Sequence, residues 1–351
     1  MQKIKKKKKL WQKALIALTS AVLAVAIVLL CAIGYFRLPV SAYYSASEKA
    51  FIIPGLSEGF IAQGISYDER EDTFFVSGYM KDKSGSPLYL VNKSSGETYK
   101  TLYLNNEDGE PYNGHCGGVE ARGKYIYVAG GNDRSLYVYS YEEAIRAENR
   151  ASLSCLGAFS LSAGENDYLG AAFVTVWDNY LVAGEFHREE NYPTLPSHKR
   201  VTAGGEYNRA IALCFPFVNE SEESGAEDTA FGLKTKPAAA ISLPSLVQGA
   251  YFENGKAVLS ASYGAAFSHL YEYDLSKAET AEKITLLGEE LPLYSLDSSS
   301  LSRKIKIPPM SEEIVSVGGK TYVMCESASD KYMFGKLTGA KWCYATDLSA
   351  L

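Results

Sequence analysis

The 351-residue chain is 46% apolar and carries 26 Tyr and 14 Phe, enough apolar mass for a large core and an aromatic content that favours β-structure over helix bundles. Residues 1–37 hold eight Lys or Arg and no acid, so residues 38–351 carry 27 basic against 41 acidic residues, a net charge of −14. A body that acidic repels phosphate backbones, which argues against nucleic acid as a partner.

Residues 14–36 read ALIALTSAVLAVAIVLLCAIGYF, an uncharged run of 23 residues. At about 1.5 Å per residue it is long enough to cross a hydrocarbon core of about 30 Å. The basic segment 1–13 is expected to stay in the cytoplasm, leaving the rest of the chain extracellular. A cleaved signal peptide is the competing reading, supported by the small triplet Val40-Ser41-Ala42. Its apolar region is typically about 7 to 15 residues, so the reading adopted is an uncleaved, single-pass signal anchor in the cell membrane. Residues 37–49 then read as a short polar and aromatic linker.

From residue 50 onward one pattern recurs. It has a polar or Gly-rich start, a short apolar segment, a turn with Gly, Asn or Asp, and an alternating aromatic and apolar segment ending in small residues. The copies begin at Gln63, Cys116, Leu169, Gln248 and Ser311. Taking Gly64, Gly118, Ala172, Gly249 and Glu313 as markers, the spacings are 54, 54, 77 and 64 residues. Each copy has the length of two strands joined by a tight turn, a hairpin. Two further strand candidates follow most hairpins: PLYLV and TYKTLYL, SLYVYSY and CLGAFSL, RAIALCFPF and AAAISLP, HLYEYDL and KITLLG. Four antiparallel strands repeating at about 50 residues predict an all-β fold, a β-propeller over 50–351. The fifth copy ends one strand short at KWCYATDL, and Ala50–Pro54 is expected to supply the missing strand and close the ring. Because PLYSLDSSSLSRKIKIPP resembles an additional strand pair, five repeats allow five or six blades.

Two insertions interrupt the pattern. Residues 187–209 are too polar and Pro/Gly-rich for strand, and 219–229 carry five acids and are expected to form a mobile solvated loop without a role.

The first strand of such a hairpin starts where the second ends, so the repeat flanks converge on one rim of the channel. The strand starts supply Gln63, His115, Gln248, Glu312 and Glu313; the strand ends supply Tyr79, Asn132, Asp133, Glu185, His187, Tyr263, Glu326 and Lys331. Polar residues also collect on a rim simply because it is wet. The expected ligand site comprises Gln63, His115, Asn132, Glu185, His187, Gln248, Tyr263, Glu312 and Glu326, for a small molecule, a glycan or a protein partner. A divalent metal held by His115 or His187 with Glu185, Glu312 or Glu326 would turn the same rim into a metal-dependent hydrolase of lactonase or esterase type, although no fixed ligand spacing supports it. A scaffold for protein assembly is the third reading. His198 and His269 read as loop and strand-surface residues. The six cysteines lack any C-x-x-C pair and read mainly as buried small apolar side chains, with one disulfide left open. Gly55–Gly59 match G-x-S-x-G but lack the strand-turn-helix context of a nucleophile elbow.

The blade pattern over residues 50–351 resembles bacterial propellers related to gluconolactonase, regucalcin and strictosidine synthase-like proteins. The resemblance implies four-stranded blades around a channel and, in the lactonases, a divalent metal held by Glu, Asn and Asp on inner strands. Here Gln63, Gln248 and Glu312 stand at channel-facing positions and do not reproduce that set, so neither the metal site nor the activity carries over.

Overall fold

The computed structural model describes residues 2–218 and 228–351, with the side chains of residues 2–8, 10 and 132 not described. The acidic stretch 219–227 therefore lies outside the described residues. Each repeat forms an antiparallel hairpin whose register matches the pattern. In the fourth, Val247–Glu253 pairs with Lys256–Ala261 across a turn at Asn254 (φ 52°) and Gly255 (φ 73°). Positive φ at both positions is what a two-residue turn matched to strand twist demands, and Asn-Gly meets it with least strain.

The hairpins are the inner halves of five blades arranged as a β-propeller. Blade one is Phe60–Asp68, Thr73–Met80, Pro87–Asn92 and Thr98–Leu104, with Ser152–Leu153 added in parallel at its edge. Blade two is Val119–Arg122, Tyr125–Ala129, Ser135–Ser140 and Cys155–Ser160, interrupted by the helix Tyr141–Arg146. Blade three is Ala171–Trp177, Tyr180–Glu185, Ala210–Pro216 and Ala239–Leu243. Blade four adds Ser268–Asp274 and Leu301–Ile307 to its hairpin. Blade five is Ser311–Val317, Lys320–Cys325 and Trp342–Thr346, completed by Ser47–Ile52 from before blade one. That N-terminal strand closes the ring, as expected. Phe74 of blade one meets Phe51 and Tyr322 of blade five at ring distances of 5.3 and 4.7 Å across the closure.

Two strands belong elsewhere than the pattern suggested. The first four residues of KITLLG lie in Glu279–Leu286, which does not complete blade four. It pairs with Glu289–Ser295, and that hairpin extends blade three through a parallel edge against Ala239–Leu243. Ile284, Leu286, Leu291 and Leu293 point into the blade-three core, so tertiary burial chose the partner sheet. The described residues accordingly form five blades and no sixth. Gly55–Gly59 holds only the 3-10 turn Leu56–Glu58 between two strands. The six cysteines are all free thiols.

The helix Gln2–Arg37 contains an apolar segment long enough to cross a membrane. The following residues, expected as a linker, are docked: Leu38–Val40 and Ser41–Ser45 form two short helical turns, and Val40 and Tyr43 are buried among Ile307, Ile314, Val323 and Tyr344 of blades four and five. Phe36 stacks on Phe334 at 5.6 Å, and Arg37 Nε donates to the Leu337 carbonyl at 3.1 Å.

Candidate functional site

The five markers meet on the propeller axis. Four are small and let the backbones approach: a Cβ added at Gly118 would sit 2.6 Å from the Val174 nitrogen, and one at Gly249 would sit 2.4 Å from the Glu313 Cα. The fifth marker, Glu313, fills the space the others leave. Its Oε2 accepts the N–H groups of Ile65 (2.8 Å) and Val119 (3.0 Å), and its Oε1 accepts that of Val174 (3.1 Å). One buried carboxyl thus ties blades one, two and three to blade five. Burial pushes its pKa well above the ordinary range, and the three donors oppose that shift.

Above this plug, where inner strands begin and second strands end, opens a cavity of about 780 Å³. Of the expected site residues, Gln63, His115, Glu185, Gln248, Tyr263, Glu312 and Glu326 line it, joined by Tyr79, Asp133 and Lys331. The side chain of Asn132 lies outside the described residues. His187 does not line the cavity; it is buried within the 187–209 insertion, with Nδ1 3.0 Å from Thr194 Oγ1 and Nε2 3.2 Å from Glu189 Oε2.

The floor is an organised polar cluster. Glu326 accepts from Gln63 Nε2 at 3.1 Å and from the Tyr332 hydroxyl at 3.1 Å. Lys331 Nζ donates to the Tyr79 hydroxyl at 2.7 Å, and His115 stacks on the Tyr79 ring at 4.6 Å. Glu312 is 2% exposed, reaches the cavity, and has no hydrogen-bond partner among the described residues. Burial first, then repulsion from Glu326, raises the Glu312 pKa well above the carboxylate range, while Lys331 opposes the rise. Glu326 is raised by burial and opposed by the same ammonium. His115 is open to the cavity mouth, yet the walls around it and Lys331 lower its pKa, favouring neutral imidazole.

The wall on the blade-three side comes from the insertion. Asn191, Tyr192, Pro193 and Thr194 line the cavity, and Phe186 packs against both Tyr192 (5.4 Å) and Tyr263 (6.4 Å). His198 anchors this insertion and is no loop residue: it is 0% exposed, with Nδ1 2.9 Å from Glu185 Oε2. Glu185 Oε2 also accepts the Ile211 N–H at 3.1 Å, so its oxygens are engaged by protein. Local polarity hid His198; the only signal was a rigid strand-end glutamate thirteen residues upstream. Arg134 over the Tyr168 ring at 3.7 Å and Tyr332 complete the lining, and neither stands in a repeat flank. Among the described residues no three His, Cys, Asp or Glu gather as a metal-binding group.

No family model matches the sequence, and no curated protein does. Several solved structures are similar at low scores. The chain is a five-bladed β-propeller. Myxococcus xanthus glutaminyl cyclase is 12% identical over 86% of this chain and 94% of its own, with a TM-score of 0.41. Kuenenia stuttgartiensis hydrazine synthase is 12% identical over 76% and 80%, with a TM-score of 0.40. BamB from Moraxella catarrhalis is 8% identical over 76% and 83%, with a TM-score of 0.31. None of these likenesses selects the gluconolactonase, regucalcin and strictosidine synthase-like group, and at such scores none carries an activity.

Proposed function

We propose that the chain is a binding protein, tethered to the membrane by its N-terminal helix with the propeller outside the cell, and that the channel-mouth cavity takes a neutral, hydroxyl-rich small molecule of the sugar class. The observation that carries this reading is Glu312: a carboxyl almost wholly buried, facing a cavity, with no hydrogen-bond partner among the described residues. Held neutral by burial, it both donates and accepts, as a ligand hydroxyl requires. The Gln248 amide lines the same space and also has no protein partner among the described residues.

The charge balance points the same way. Groups of both signs line the space beside Glu312: the acids Asp133 and Glu326 and the bases Arg134 and Lys331, with Glu185 bonded to His198. A lining that mixes both signs in this way singles out neither a cation nor an anion. Phe186, Tyr192 and Tyr263 add the flat apolar faces on which a pyranose ring packs.

Calorimetric titration tests it, using neutral oligosaccharides beside their amino and carboxylate counterparts. The neutral series should bind, and Glu312→Ala should weaken it about tenfold, the worth of one lost hydrogen bond. Preference for a charged counterpart, or affinity unchanged by Glu312→Ala and Gln248→Ala together, would overturn the reading.

A further inference from the structure

A second cavity, of about 570 Å³, lies where the N-terminal helix reaches the propeller. Its lining contains four cations, Arg37, Lys49, Lys336 and Lys341, and a single acid, Asp330. Asp330 is bound to Lys336 at 2.9 Å, whereas Lys49 and Lys341 have no acidic partner among the described residues. They flank the Trp342 ring, 5.3 and 5.7 Å from its centroid. Arg37 is fixed through Nε to the Leu337 carbonyl, with Nη2 lying against Gly339.

Position identifies the occupant. Arg37 is the last residue of the helix that carries the apolar span, so a cavity built on Arg37 sits at the level where that span leaves the hydrocarbon. The surroundings fit such a level. Leu38 next to Arg37 is 73% exposed, Met333 beside the Phe36–Phe334 stack is 87% exposed, and Ile52 pairs in register with Trp342. Tryptophan with flanking lysines is the side-chain set that settles at a membrane–water boundary. The otherwise acidic propeller thus presents a concentrated positive cleft towards the bilayer.

We infer that this cavity binds the phosphate of an anionic phospholipid head group, seating the propeller on the outer end of its own anchor. The guanidinium of Arg37 and the ammonium groups of Lys49 and Lys341 hold the phosphate oxygens, and Trp342 packs against the glycerol region.

The full chain, reconstituted in nanodiscs of phosphatidylcholine mixed with phosphatidylglycerol and then extracted in detergent, is assayed for retained lipid by mass spectrometry. Wild type should retain phosphatidylglycerol in preference to phosphatidylcholine. The exposed pair Lys49→Gln with Lys341→Gln should lower that preference on the order of thirtyfold, about fivefold per lysine. Lys283→Gln, on the added hairpin of blade three, should leave it unchanged. Equal retention by wild type and the double variant, with unchanged melting curves, would overturn the site. Displacement of the lipid by inorganic phosphate at millimolar concentration would overturn the lipid assignment and make it a free-phosphate site.

Discussion

The Glu313 Oε2 accepts the Val119 N–H at 3.0 Å across the propeller axis, joining two residues 194 positions apart in the chain. Bonds of this kind hold blades together at their narrowest point, where no side chain larger than hydrogen or methyl fits elsewhere. Glu313→Ala leaves the N–H groups of Ile65, Val119 and Val174 without acceptors, at about 1–3 kcal/mol for each that water fails to reach. We expect a total loss of about 3–5 kcal/mol in urea denaturation, with Glu313→Gln losing about 1–3 because the amide offers one acceptor oxygen. A Glu313→Ala change within about 0.5 kcal/mol of wild type contradicts the plug.

The same crowding makes the axial glycines intolerant. A methyl at Gly118 meets the Val174 nitrogen and the Phe173 Cα, backbone atoms that cannot step aside. Gly118→Ala should cost about 2–4 kcal/mol. Gly164→Ala, where an added Cβ meets nothing within 4 Å, should stay within about 0.5 kcal/mol in the same denaturation series.

Protonation of Glu312 links the cavity to pH. Its pKa is raised on folding above the unfolded value of about 4.3, so the folded chain binds more protons and stability falls as pH rises from there towards the raised value. Glu312→Gln removes that dependence. Melting temperatures of the variant and wild type should therefore diverge in the variant's favour between about pH 5 and pH 8 and converge towards pH 4. A constant difference across that range contradicts the assignment.

Glu185 and His198 form a buried pair whose members cost most when parted. Removing either partner alone should destabilise by about 3–5 kcal/mol, and the double change by less than the sum, in a double-mutant cycle. Both single variants should also expose residues 187–209 to limited proteolysis, because this pair pins the insertion to blade three.

Much of the ring was legible because each blade must bury both faces, which stamps one apolar pattern on every hairpin. The marker alignment already held the plug, since Glu313 is the one charged residue among five aligned positions. The strand assignment failed where burial, not local pattern, decided. KITLLG alternates well enough to edge any sheet, and it pairs with Glu289–Ser295, the strand that joined the free edge of blade three. His198 sits in LPSHKR, a segment with every sign of a solvated loop, and only the folded position of Glu185 makes it a core residue. The rim residues Gln63, Glu312 and Glu326 could be placed from strand ends alone. That Glu312 stands unpaired while Glu326 is doubly bonded is a property of side-chain geometry.

The most direct test of the binding account is where a ligand sits. In a crystal of the propeller soaked with a neutral oligosaccharide, we predict a sugar hydroxyl about 3 Å from the Glu312 carboxyl, with a ring against the Phe186 and Tyr263 faces. Sugar bound elsewhere on the surface, with Glu312 still unpaired in a cavity of water, would contradict it.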